Sequence, residues 1–152
     1  MMKKKFFSLF CLLALILAGC SSGGDGKDHF VYANEVSEYM DKVVEFAKDI
    51  PDKAEKAVND EQAKQELKGS LEEMKQEINE FGKVEAPEIA DDFHKEIVDK
   101  GQSLEEKIDV YLERIDKGDF NEEFLKKEDF SKVTEEITGS FEKLKGLLEK
   151  DK

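Results

Sequence analysis

Two cysteines, two prolines, no tryptophan and a single arginine, Arg114, are what this 152-residue chain has least of. Each shortage excludes something. Cys11 sits inside an apolar N-terminal run and Cys20 just behind it, so the body of the chain holds no pair for an internal disulfide. With 23 lysines to that one arginine, planar bidentate recognition of phosphate or carboxylate has almost no residue to use. A basic patch is missing as well. The 24 Lys+Arg face 37 Asp+Glu for a net charge of −13, the wrong sign for a nucleic-acid backbone and for anionic lipid head groups. No H-E-x-x-H, Gly-rich phosphate loop, dinucleotide fingerprint or G-x-S-x-G elbow occurs. No segment alternates long enough to make a convincing strand.

What is present begins at the N-terminus. Lys3, Lys4 and Lys5 precede Phe6 to Ala18, a run of 13 residues that is apolar apart from Ser8. That run suits the apolar core of a signal peptide and falls short of the roughly 20 residues that span a bilayer. It ends in Leu17-Ala18-Gly19-Cys20, which resembles the bacterial lipobox. The resemblance implies a diacylglyceryl group on the Cys20 thiol and cleavage just before it. Residues 1–19 are then removed, Cys20 is the lipid-attachment residue, and residues 20–27, Ser21-Ser22-Gly23-Gly24-Asp25-Gly26-Lys27 after the cysteine, form a flexible tether. The remaining 133 residues keep 21 basic and 37 acidic side chains, a net charge of −16.

Residues 28–152 read as one domain. Apolar residues recur at helical spacing almost to the C-terminus, and four helices are expected. The first, about Asp28 to Val58, carries Tyr32, Val36, Tyr39/Met40, Val43, Ala47, Ile50, Ala54 and Ala57/Val58. Pro51 falls inside it and predicts a kink rather than a reversal, because the stripe continues in phase. Asn59 with Gln62 reads as a capping box. The second, Asp60 to Phe81, carries Ala63, Leu67, Leu71, Met74, Ile78 and Phe81, with Gly82 as its stop. Pro87 opens the third, which runs to Lys117 with Phe93, Ile97, Gly101, Leu104, Ile108, Tyr111 and Ile115, and Gly118 ends it. A connector from Asp119 to Asp129, with one helical turn at Glu122–Lys127, leads to the fourth, Phe130 to Glu149. Its stripe is Phe130, Val133, Ile137, Phe141, Leu144 and Leu148. No stripe can be buried alone, so the fold class is all-α: an antiparallel bundle of about four amphipathic helices. Glu38–Lys42 and Glu96–Lys100 are expected as surface pairs along single helices.

Candidate chemistry is sparse. His29 starts the first helix, and His94 sits in Asp91-x-x-His94, half of a di-iron bundle motif that needs a second copy. With Phe93 taken as the core residue, His94 is expected on a solvated flank. Asp119-x-Asn121-x-Glu123 has the opening rhythm of a calcium loop, but Phe124 and Phe130 stand where Gly and the bidentate Glu are required. The neighbouring acids Glu72-Glu73, Asp91-Asp92, Glu105-Glu106 and Glu135-Glu136 diverge by about 100° on a helix and make no preset acid–base dyad. Tyr32, Phe46, Phe81, Phe93, Tyr111 and Phe141 read as core aromatics. No catalytic, cofactor or metal residue is assigned.

The layout, with Phe46-Ala47 and Ile50-Pro51 inside Val43–Ala57 and with Glu85-Ala86-Pro87-Glu88-Ile89-Ala90, resembles a group of small, uncharacterised helical lipoproteins of Gram-positive bacteria. That resemblance implies no activity or cofactor. It does imply a protein held by Cys20 on the extracytoplasmic face of the cell membrane. The expected role is a non-enzymatic interaction module that meets another envelope protein or the cell wall. The alternatives are a ligand- or metal-binding bundle and a cell-wall-binding lipoprotein. No nucleic-acid partner is expected.

Overall fold

The computed structural model describes residues 25–148, with side chains from 30 to 147. The expected signal segment 1–19, the expected lipid-attachment residue Cys20, residues 21–24 of the expected tether, the side chains of His29 and Leu148, and residues 149–152 lie outside the described residues. Five helices follow one another: α1 Asp25–Ala57, α2 Glu61–Phe81, α3 Asp91–Lys117, α4 Glu122–Lys127 and α5 Ser131–Leu148, with a 3₁₀ turn at Glu88–Ala90 before α3. Among the described residues there is no strand, and no helix is long and apolar enough to cross a membrane.

The helices end where local chemistry tells them to. Asp60 is extended at the head of α2, and its carboxylate accepts from the Ala63 backbone N–H at 2.9 Å, so Asp60 rather than Asn59 is the N-cap. Gly118 closes α3 at φ +72°, a left-handed conformation that favours glycine. The Asp119 N–H then bonds back to the Arg114 carbonyl at 3.1 Å and completes a Schellman stop. Asn121 caps α4 by accepting from the Phe124 N–H at 3.1 Å. The helix expected to open at Pro87 starts at Asp91 instead, after the 3₁₀ turn. α1 runs unbroken through Pro51. That proline lies on the exposed face, where water can meet the carbonyl that it leaves without a donor. α1 also begins three residues earlier than expected, so residues 25–27 belong to the helix and not to the tether.

The four long helices form a square. α1 lies against α2 and α5, and α3 against the same two. Pairs across the sides fix the directions. Lys68 meets Asp116 at 2.8 Å and Lys75 meets Asp109 between α2 and α3, while Ser140 meets Glu96 at 2.8 Å between α3 and α5. One number rises as the other falls, so neighbours are antiparallel. On the diagonal, Tyr32 meets His94 and Tyr39 lies against Gly101, which makes α1 and α3 parallel. The result is the expected antiparallel all-α bundle.

The buried positions follow a three-four alternation closer than the apolar pattern alone suggests. On α3 they are His94, Ile97, Gly101, Leu104, Ile108, Tyr111 and Ile115, the spacing that keeps one seam facing its neighbours. The same rhythm puts Phe46 rather than Ala47 inside α1, and Ser140 rather than Phe141 inside α5. Leu67, Leu71, Ile97, Leu104, Ile108, Ile137 and Leu144 are fully buried, each contributing about 1.5–3 kcal/mol. Outside the seam the pairing differs from expectation. Lys42 reaches across to Glu77 at 2.5 Å and Lys100 to Glu136 at 3.7 Å, so these lysines join helices instead of decorating one. Such partly exposed pairs contribute about 0–1 kcal/mol.

Candidate functional site

One end of the bundle gathers the N-terminus of α1, the C-terminus of α2, the 82–90 connection and the N-terminus of α3. Its interior is aromatic. The rings of Tyr39 and Phe81 stack at 4.2 Å, and Phe81 in turn lies 4.9 Å from His94. His94 is 7% exposed, and its Nδ1 is 3.2 Å from the Tyr32 hydroxyl. This corrects the expectation of a solvated His94. Its neighbour Phe93 is only half-buried, because the seam reaches back from Ile97 by three residues rather than four.

The pair is neutral at neutral pH. Burial lowers the His94 pKa, against an opposing pull from the Asp91 carboxylate. Burial also raises the Tyr32 pKa, helped by Asp91 and Glu35, so Tyr32 keeps its proton and stays a donor. No serine, threonine or cysteine of the described residues is hydrogen-bonded to His94. The arrangement ties α1 to α3 across the diagonal and offers no activated nucleophile.

The other polar candidates are used locally. Asp119 receives Arg114 at 2.5 Å, Asn121 caps α4, and Glu123 pairs with Lys127 at 2.7 Å, so the three residues of the calcium-like run serve three separate contacts. Among the described residues no three His, Cys, Asp or Glu side chains are placed to hold one metal ion. Of the adjacent acids, Glu105 accepts from Asn79 at 3.3 Å and Glu136 binds Lys100, both across helix boundaries. Buried Thr134 donates to the Phe130 carbonyl at 2.9 Å, and buried Ser140 donates to Glu96 at 2.8 Å. At the far end Tyr111, Phe124 and Phe130 pack together, and Tyr111 donates to the Glu128 carbonyl at 2.5 Å. Phe120 and Phe124, in a stretch read as a connector, are core residues. Their only advance signal was the Asn121 cap three residues before Phe124.

The surface at the end where α1 begins is different. Phe30 is 67% exposed, Val31 54% and Ile89 40%, whereas the other exposed large apolar residues, Val44 and Val110, stand alone farther along the helices. Val31, Val84, Pro87 and Ile89 line a groove between α1 and the 82–90 connection. Glu35, Glu80, Glu85 and Glu88 line it too, with Lys83 as the one base among its lining residues. Sequence reasoning missed this groove, because Val31 and Ile89 fall off the core stripes and no local pattern joins them.

A lipobox-like Leu17-Ala18-Gly19-Cys20 ahead of an all-α bundle fits the class of bacterial lipoproteins with a small helical domain. The chain belongs to the family of unknown function DUF6376, whose model matches residues 32–147. It is 31% identical over 144 residues to the uncharacterized lipoprotein YybP of Bacillus subtilis (strain 168), covering 88% of this chain and 97% of that one. No solved structure matches it.

Proposed function

We propose that this lipoprotein is anchored through Cys20 on the extracytoplasmic face of the cell membrane, and that it acts as a non-enzymatic interaction module docking another envelope protein. One contrast carries the reading. The buried polar side chains His94, Thr134 and Ser140 already have partners inside the protein, while the clustered exposed apolar residues lie at the end beside the anchor. A ligand or metal site in a bundle core is normally built from inward His and Glu. Here the inward His94 is bonded to Tyr32 and packed against Phe81.

Covalent geometry sets the working zone. Five peptide steps separate Cys20 from Asp25, so the bundle starts within about 17 Å of the anchored residue. The net charge of −16 holds the domain off anionic head groups over a screening length of about 8 Å. The domain therefore meets the near-membrane parts of other proteins. Cross-linking of intact cells followed by purification of the lipoprotein tests this. A discrete envelope protein in the cross-linked product is expected. Adducts to lipid alone, or a stoichiometric metal in the purified protein, would favour a different class of function.

A further inference from the structure

We infer that the groove between α1 and the 82–90 connection takes a peptide segment in which apolar side chains are interspersed with Lys or Arg. The proposal rests on the interaction-module reading and names the kind of partner. Part of the lining is apolar: Val31, Val84, Pro87 and Ile89 line the groove, and Val31 and Ile89 are both exposed. A monomer gains nothing by leaving large apolar side chains clustered on its surface, and such clusters mark binding surfaces. The rest of the lining is mostly anionic. Among the described residues none of Glu35, Glu80, Glu85 and Glu88 lies within ion-pair distance of a Lys or Arg, although elsewhere in the bundle lysines are drawn across to Glu77, Asp109, Asp116 and Glu136.

Charge and shape choose the occupant. An acidic peptide or an anionic lipid surface would be repelled by these four carboxylates. A purely polar cation would leave the apolar lining wet. The chain's own Glu149-Lys150-Asp151-Lys152 has no apolar side chain to offer it. A basic and apolar segment satisfies both features, by area burial against the apolar side chains and by electrostatic complementarity to the carboxylates. Residues 84–87 lie outside any helix, so the groove wall presents backbone as well as side chains to a bound peptide.

The test uses the full mature lipoprotein in nanodiscs of neutral phosphatidylcholine and a fluorescent twelve-residue peptide of alternating Leu and Lys. Anisotropy at 0.15 M salt should show saturable binding. A peptide with Ser in place of Leu should bind at least roughly tenfold more weakly, as should one with Glu in place of Lys. The variants Ile89→Ser and Glu85→Gln/Glu88→Gln should each weaken the Leu/Lys peptide by about tenfold, whereas Glu122→Gln/Glu123→Gln at the far end should change it less than twofold. Equal losses from the two double variants would mean diffuse attraction to an acidic protein and would overturn the groove. Equal binding of the Ser/Lys peptide would do the same. In cells, a photo-cross-linking residue at position 89 should capture a protein partner that Glu85→Gln/Glu88→Gln reduces. Capture from position 122 but not 89 would overturn the groove and leave the interaction module standing. Capture from neither position would overturn both.

Discussion

The close approach of α1 to α3 gives the sharpest quantitative test of the packing. Gly101 is buried on α3, and a Cβ there would sit 3.1 Å from the Tyr39 hydroxyl oxygen and 3.3 Å from Ile78 Cγ2. Tyr39 has little freedom to move away, since it is 4% exposed and its ring stacks on Phe81 with an interplanar angle of 6°. Replacing Gly by Ala inside a helix gains about 1 kcal/mol in backbone terms, while overpacking a tight core costs about 1–3 kcal/mol. Gly101→Ala should therefore lose about 1 kcal/mol. Among the described residues the Tyr39 hydroxyl has no hydrogen-bond partner, and such an orphan carries a penalty of about 1–3 kcal/mol. Tyr39→Phe should accordingly raise stability by about 1 kcal/mol, or about 3 °C in Tm for a domain of this size. In that background the oxygen is gone, and Gly101→Ala should become stabilising by about 0.5 kcal/mol. Urea melts of the four proteins of this cycle, all lacking the leader, measure a coupling of about 1.5 kcal/mol. Identical costs of Gly101→Ala in the two backgrounds would refute the close approach. A loss of 1 kcal/mol or more from Tyr39→Phe would show that the hydroxyl has a partner.

Three further outcomes follow from the same structure. Leu104→Ala, at a fully buried site, should cost about 2–5 kcal/mol in denaturant melts, whereas Val44→Ala on the outer face should cost under about 0.5 kcal/mol. His94, whose pKa is lowered by burial, binds its proton more readily in the unfolded chain, so its contribution to stability is complete above about pH 6.5 and falls as pH drops through the window below that value. His94→Gln should flatten this loss in Tm between pH 7.5 and 5, and an unchanged slope would deny that His94 titrates from a buried site. The chain from Asp25 onward, with a net charge of −16, should stay unbound when floated with anionic vesicles at low salt without divalent cations. Flotation with the vesicles would reveal a lipid-facing surface.

Much of the fold is legible in the sequence because each long helix must bury one stripe, and period plus stop signals such as Gly118 define both the helices and their number. The misreadings share one cause. Reading only apolar residues chose Phe93 over His94 and Phe141 over Ser140, although the three-four seam requires the polar residue at each site. Those positions are tolerable only because of partners on other helices, Tyr32 for His94 and Glu96 for Ser140, which no local pattern announces. Lys42 and Lys100 went wrong in the same way, their true partners lying across a helix boundary. The groove was hidden for a related reason. Val31 and Ile89 are 58 residues apart in sequence, and only the bundle brings them to one surface.

Membrane anchoring turns on Cys20, and the mass of the mature N-terminal peptide tests it most directly. Membrane-extracted protein should begin at Cys20 and carry a diacylglyceryl adduct, two chains being what holds a protein firmly to a bilayer. Cys20→Ser should abolish the adduct and release the domain from the membrane fraction. An unmodified Cys20 in mature wild-type protein, or a Cys20→Ser protein that remains as firmly in the membrane fraction as wild type, would contradict the lipid anchor and with it the placement of the bundle beside its partner.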